Sequence, residues 1–269
     1  MQPDDLMIEY QLTGGENSEA LLFVHGLGAN HHQFEKQHDH FSENFTVLSV
    51  NLRGYGNSTM PQPASPADFT LAKMGEDIIK VLDTLAIEKV HYIGNSMGGN
   101  VGYELLKSYP KRITSFITFG TTAKLQKSEF TITLMRFMYQ LMSSNVLAYL
   151  SSLAGRTEYA KSTIKQMMTQ APKSTILNTL PILANFDYLE VIKESTVPAM
   201  IIKGSKDVEI NKELDSTVQA FEQRGNFQLK TIENAGHFAN LDCPSLFNEV
   251  LGDFVKTTRL FDDIIARER

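Results

Sequence analysis

Lys89-Val90-His91-Tyr92-Ile93-Gly94-Asn95-Ser96-Met97-Gly98-Gly99 joins a short apolar run to a stretch of helical spacing that starts near Met97. The pattern inside it is G-x-S-x-G, and the strand–turn–helix setting is what makes that pattern informative. A serine at such a turn sits in a strained backbone position with little room around it. Gly94 and Gly98 lack a Cβ and let the flanking chain pass close by. The hydroxyl is then presented at the C-terminal edge of a sheet, where open α/β proteins place their ligands. This reading makes Ser96 the candidate nucleophile.

On both sides of this stretch, apolar runs alternate with amphipathic segments. Strands are expected at 8–12, 21–25, 45–50, 90–93, 113–119, 200–203 and 227–232. Several are nearly continuous apolar runs, as expected of strands covered on both faces. Helical spacing runs over 71–85, with apolar residues at 71, 74, 78, 81, 82 and 85, and over 97–108, 214–221 and 246–254. Strands alternating with helices predict an α/β protein with a mostly parallel, doubly wound sheet.

The alternation breaks between about 121 and 196. Helices are expected there at 129–141, 145–152, 158–169 and 174–190, with no strand among them and Pro172, Pro181 and Pro198 as punctuation. The simplest organisation is a core domain of residues 1–120 and 197–269, with an α-helical cap of residues 121–196 inserted in it.

Composition narrows the function classes. The chain has 269 residues, 42% of them hydrophobic and 21% charged, the balance of an ordinary globular protein. A net charge of −6 offers nothing to a nucleic acid or an anionic membrane. No apolar run approaches the ~18 residues of a membrane span, and no secretory signal is visible, so a cytoplasmic monomer or homodimer is expected. Cys243 is the only cysteine, which rules out an internal disulfide, and it has no adjacent base. Five of the seven histidines fall within residues 25–40. No H-E-x-x-H or cysteine pattern accompanies them, so an exposed polar helix is expected there and no metal.

Three segments add chemistry to Ser96. His25-Gly26-Leu27-Gly28 follows an early strand, and its glycines let the loop turn sharply and aim N–H groups at a ligand. The amides of Leu27 and Met97 would form an oxyanion hole, each donor typically giving ~3 kcal/mol of transition-state stabilisation. Asp207 follows the apolar run 199–203, at the same sheet edge as Ser96, and stands ahead of its rivals for the acid, Glu209 and Glu233. His237 follows the last strand and is the natural general base. Serine needs a base to accept its proton, imidazole titrates near neutrality, and a carboxylate fixes the ring tautomer.

In this order the motifs resemble the α/β-hydrolase superfamily over nearly the whole chain. His25-Gly26 resembles the family's oxyanion turn, and Asn51-Leu52-Arg53-Gly54-Tyr55-Gly56-Asn57-Ser58 its D-x-R-G-x-G-x-S segment, with Asn51 departing from the usual aspartate. Gly94 to Gly99, Asp207 and Gly236-His237 fit the remaining motifs. The resemblance implies an α/β-hydrolase fold with an inserted helical cap, a Ser96–Asp207–His237 triad and no cofactor. Ser96 argues against the dehalogenase and epoxide-hydrolase branches, which carry aspartate at the elbow. Phe238 after His237, Ala29 after Gly28 and the absence of tryptophan make the meta-cleavage carbon–carbon hydrolases an alternative. Acyl-lactone hydrolases and ligand-sensing members are further alternatives.

Carboxylesterases and monoacylglycerol-lipase-like enzymes remain the best match, so a small-molecule ester is the expected substrate. Met135, Met138 and Met142 fall on one face of a cap helix. They read either as adaptable walls for a short to medium acyl chain, with Phe238 beside the base, or as plain helix packing.

Overall fold

Strand β4 (Val90–Asn95) and helix α3 (Met97–Ser108) meet at Ser96, as the opening stretch requires, in a computed structural model that describes residues 6–15, 17 and 19–267. In chain order the other strands are β1 (Tyr10–Thr13), β2 (Ala20–Val24), β3 (Thr46–Val50), β5 (Ile113–Phe119), β6 (Lys124–Gln126), β7 (Asn185–Asp187), β8 (Ala199–Gly204) and β9 (Phe227–Ile232). Seven of them form one sheet in the order β1-β3-β2-β4-β5-β8-β9. Only β1 runs antiparallel to its neighbour β3. All other pairings in that sheet are parallel.

Helix α1 (Glu35–Phe41) follows β2, and α2 (Leu71–Thr84) leads into β4. Between β5 and β8 lie α4 (Glu129–Leu141), α5 (Ser144–Ser152), α6 (Glu158–Gln170), α7 (Lys173–Thr179) and α8 (Leu189–Glu194). Helices α9 (Val208–Glu213) and α10 (Asp215–Glu222) connect β8 to β9, and α11 (Ala239–Asp242) and α12 (Pro244–Arg267) are the last described elements. The doubly wound α/β sheet with inserted helices is the fold expected. No described helix is long and apolar enough to cross a membrane.

Period-two alternation sorts the strand residues onto two cores. Leu22, Val24, Leu48, Val50, Tyr92 and Phe116 face one, and Leu21, Phe23, Val47, Ile93 and Ile117 face the other. Every one of them is buried. Helices cover both faces, which is why these strands read as unbroken apolar runs.

The inserted segment corrects one expectation. The stretch 174–190 is not a single helix. It holds α7, a 3-10 turn at Ile182–Ala184, then β7 and the start of α8. Pro181 lacks the N–H that a continuing helix needs and would clash with the preceding turn. β7 pairs antiparallel with β6, Leu125 opposite Phe186. Three-residue strands are too short to show an alternation in sequence.

The histidine-rich stretch also differs from an exposed polar helix. His38 on α1 is buried, with Nδ1 2.8 Å from Thr13 Oγ1 and Nε2 2.9 Å from Ser49 Oγ. His25 and His91 are buried as well, whereas His32 is exposed. Desolvation pulls His25, His38 and His91 down to about 4. No group of acidic, histidine or cysteine side chains suited to a metal occurs among the described residues.

Steric crowding fixes the Ser96 turn. Ser96 has φ 51° and ψ −117°, a left-handed conformation that costs a non-glycine residue ~1–3 kcal/mol. A Cβ on Gly98 would stand 2.1 Å from the Val24 carbonyl oxygen, at the end of β2. The first turn of α3 therefore lies directly on β2.

Two predictions follow from this packing. Gly98→Ala pushes against backbone rather than a movable side chain, so it should destabilise the protein by about 3 kcal/mol in urea unfolding. The buried histidines are neutral when folded and have ordinary values when unfolded. Their contribution is thus full above pH ~6.5 and is lost as pH falls toward ~4. Urea midpoints should drop across that window, and His38→Gln should flatten the drop, each histidine contributing at most ~3 kcal/mol.

Candidate active site

The strand order reverses around β2, with β3 on one side and β4 on the other. Ligands of open α/β sheets bind in the crevice outside such a reversal. The loop after β2 and the turn after β4 flank it, because Val24 and Gly94 are partners in the parallel ladder. Contact between the two turns is close: a Cβ on Gly26 would lie 3.1 Å from Ser96 Cβ.

Residues Gly26 to Ala29 form a tight turn, with the Ala29 N–H donating to the Gly26 carbonyl at 3.2 Å and Gly28 at φ +74°. Glycine in that conformation suits the third position of a type II turn. A side chain there would also strike Met168, whose Cε would lie 2.1 Å away. The Leu27 amide sits in this turn. The Met97 amide opens α3 and has no acceptor within its own helix. His25 braces the turn: Nδ1–H donates to the Gly26 carbonyl at 2.8 Å, and Nε2 accepts from the Leu52 amide at 3.0 Å. That pair of partners fixes the neutral tautomer and makes His25 structural.

Asp207 stands at the N-cap position of α9 just beyond β8, its side chain free of the helix, and His237 follows β9. His237 Nδ1 is 2.9 Å from Asp207 Oδ2. A carboxylate only accepts, so Nδ1 carries the proton and Nε2 is left with its lone pair. The rivals for the acid are placed elsewhere. Glu209 is exposed and pairs with Lys212 at 2.9 Å, and Glu233 is exposed with its carbonyl facing Cys243.

Ser96 and His237 line one cavity of about 220 Å³. Leu27, Gly28, Ala29 and Phe238 complete its floor, and Tyr139, Ser151, Ala154, Ile164, Met167 and Met168 come from the inserted helices. Among these lining residues no lysine or arginine occurs. Met135, Met138 and Met142 are not among them. They line an adjoining hollow of about 280 Å³ between α4 and α5, whose other walls include Leu134, Leu147 and Leu150. Tyr139 and Ser151 border both spaces. The methionines that line the Ser96 cavity are Met167 and Met168 on α6. Their pairing with Ile164 at helical spacing is the sequence signal that would have found them.

Buried amides hold the loops around the serine. Asn95 Nδ2 donates to the Phe119 carbonyl at 3.2 Å and to the His237 carbonyl at 3.1 Å. Its Oδ1 accepts from Gln33 Nε2 at 3.0 Å, and Gln33 reaches on to Asn240 Oδ1 at 3.3 Å. Asn240 Nδ2 donates in turn to Gln37 Oε1 at 3.0 Å, and Gln37 Nε2 to Asn248 Oδ1 at 2.8 Å.

Arg53 is fully engaged, with Nε 2.7 Å from Asp77 Oδ2 and its other nitrogens on the Asp68 and Lys73 carbonyls. Asn51 Oδ1 accepts from the His31 amide at 2.7 Å, while its Nδ2 donates to Glu9. The Glu9 carboxylate also takes Asn57 Nδ2 at 2.6 Å and the Asn57 amide at 2.7 Å. Glu9 thus sets a carboxylate against the Asn51 side chain. Cys243 is half-buried, and burial together with the Asp242 carboxylate pushes its thiol up, away from nucleophilic use.

Comparison with known proteins agrees with this architecture. The chain is 26% identical over 260 residues to 3-oxoadipate enol-lactonase 1 of Acinetobacter baylyi, covering 93% of each chain. It is 26% identical over 271 residues to a 2-hydroxy-6-oxononadienedioate/2-hydroxy-6-oxononatrienedioate hydrolase of Burkholderia vietnamiensis, covering 94% of this chain and 92% of the other. A thermophilic esterase from Thermogutta terrifontis superposes with a TM-score of 0.84 at 20% identity, covering 96% of both chains, and so shares the fold. A family model described as the alpha/beta hydrolase fold matches residues 19–157. The chain belongs to the alpha/beta hydrolase superfamily.

Proposed function

We propose that this hydrolase cleaves neutral carboxylic esters with an apolar acyl group through an acyl-enzyme on Ser96. One observation carries the reading. Ser96 and His237 share a cavity walled by apolar side chains without a lysine or arginine, and the Asp207 carboxylate holds His237 Nδ1. In this scheme Ser96 Oγ attacks the carbonyl as His237 Nε2 accepts the hydroxyl proton. Asp207 keeps the ring oriented and stabilises the imidazolium. The amides of Leu27 and Met97 receive the charge that develops on the carbonyl oxygen. His237 then protonates the departing alcohol, and water activated by the same ring releases the acid.

The names of the relatives denote substrates derived from oxoadipate and from a dienedioate, which bear carboxylates. Burying a carboxylate without a cationic partner costs several kcal/mol, so this cavity favours uncharged esters. Its size supports the same class. Small-molecule sites usually span ~300–1,000 Å³. The 220 Å³ around Ser96 falls below that range, and the adjoining 280 Å³ hollow of Met135, Met138 and Met142 brings the combined space within it. An acyl chain running past Tyr139 would occupy both.

Ser96→Ala or His237→Ala should lower kcat by ~10⁴-fold or more in assays with p-nitrophenyl butyrate. A fluorophosphonate should add once to the wild type and not to Ser96→Ala, by intact mass. Across acetate, butyrate and octanoate esters, kcat/KM should rise by up to ~4-fold per buried CH₂, equivalent to ~0.8 kcal/mol each. Met138→Ser should erase the gain for octanoate and spare acetate. The p-nitrophenyl half-ester of succinate should be a poorer substrate than the butyrate ester. A preference for the charged ester would contradict this reading.

A further inference from the structure

One carboxylate outside the Ser96 cavity touches both the inserted helices and the loop of the base. Asp242, at the end of α11, is buried. Its Oδ2 accepts from the Gly236 amide at 2.8 Å, the residue immediately before His237. Its Oδ1 accepts from the Arg156 amide at 2.6 Å, in the turn between α5 and α6. The same turn reaches the other partner of the pair. Arg156 Nη2 donates to the Lys206 carbonyl at 2.9 Å, the residue immediately before Asp207.

These contacts leave no slack. A Cβ on Gly236 would come 2.7 Å from the Ala154 carbonyl oxygen and 3.0 Å from Arg156 Nε. Beside them, Phe238 and Leu241 pack with Ala160, Ile164 and Met167 of α6. Neither Asp242 nor Arg156 is among the residues lining the Ser96 cavity, so their action is through the backbone of residues 206 and 236.

We propose that Asp242 is a positioning residue, clamping the His237 loop to the α5–α6 turn while Arg156 clamps the Asp207 loop to the same turn. Seating of the inserted helices and alignment of the Asp207–His237 pair are then a single event. The clamp rests on the catalytic reading of Ser96 and His237 only for its effect on rate. Its structural part stands by itself, because the two loops and the turn are joined whatever bond is cleaved. An amide at position 242 would turn an N–H₂ toward one of two N–H donors, so even the isosteric change breaks one side.

The test uses the full chain with Asp242→Asn, Arg156→Ala and Arg156→Lys, and Arg156 is exposed enough that its variants spare the fold. Amide hydrogen exchange reads the clamp without any turnover. Asp242→Asn should speed exchange at 233–242 and at 153–160 together, and Arg156→Ala should speed it at 203–208. Fluorophosphonate labelling of Ser96 and ester hydrolysis read the alignment. Both should slow by ~10-fold in Asp242→Asn, with KM within about twofold. Arg156→Lys, or guanidinium added to Arg156→Ala, should restore part of the rate.

Faster exchange confined to one segment would overturn the clamp. So would wild-type labelling and kcat in both Asp242→Asn and Arg156→Ala. Coupled exchange in Asp242→Asn, beside a wild type that neither labels nor hydrolyses esters, would keep the clamp and overturn the ester reading instead.

Discussion

Chain crowding where β2, β4 and the first turn of α3 converge sets the position of Ser96 and of the Gly26 turn beside it. The Val24 carbonyl leaves Gly98 no room for a side chain, and Gly94 is equally hemmed in by the Gly98 carbonyl. Ser96 is held at positive φ between them. Such strain persists only where the surroundings over-determine it. Here the surroundings are two apolar cores, one on each face of a sheet whose strands β2, β3 and β4 are fully buried. The in-register pairing of β2 and β4 then carries the Gly26 turn to the serine with no further adjustment.

A second layer of constraint is polar but uncharged. The run of amides from Asn95 through Gln33, Asn240 and Gln37 to Asn248 links the serine turn to α1, α11 and α12. Buried amides have directional donors and acceptors, so they fix how these helices are registered where apolar contacts alone would tolerate sliding. They also carry no proton that is lost or gained near neutrality. The Gln33 Oε1 atom is buried without a partner among the described atoms, the one loose end in this run.

Much of this was legible in the sequence because short-range chemistry dictates it. The serine turn needs glycines at fixed spacing, and parallel strands need unbroken apolar runs. The pairing of Asp207 with His237 is legible because both follow strands whose ends lie at one sheet edge. Asp207 already ranks ahead of Glu209 on sequence position, and the structure gives the contacts behind that order: Asp207 meets His237, whereas Glu209 pairs with Lys212. The α4 methionines illustrate the opposite limit. Their spacing gives a face but not a neighbour, and the structure turns that face to the adjoining hollow while α6 supplies Met167 and Met168 beside Ser96. His38 was misread for a similar reason. Its burial depends on hydroxyls from two separate strands, Thr13 and Ser49, that meet its ring only in the folded sheet.

The placement of charge at Glu9 has a bearing on how the molecule breathes. β1 is an edge strand with alternating exposed and half-buried residues, so apolar burial alone holds it weakly. Just ahead of it, Glu9 binds the side chains of Asn51 and Asn57, and Thr59 and Met7 exchange hydrogen bonds. If β1 frays, those donors lose their acceptor, and the Asn51 contact to the His31 amide loses its anchor. The smallest segment that opens locally is therefore larger than the strand: it takes in the 51–59 loop and extends to the 3-10 turn that starts at His31.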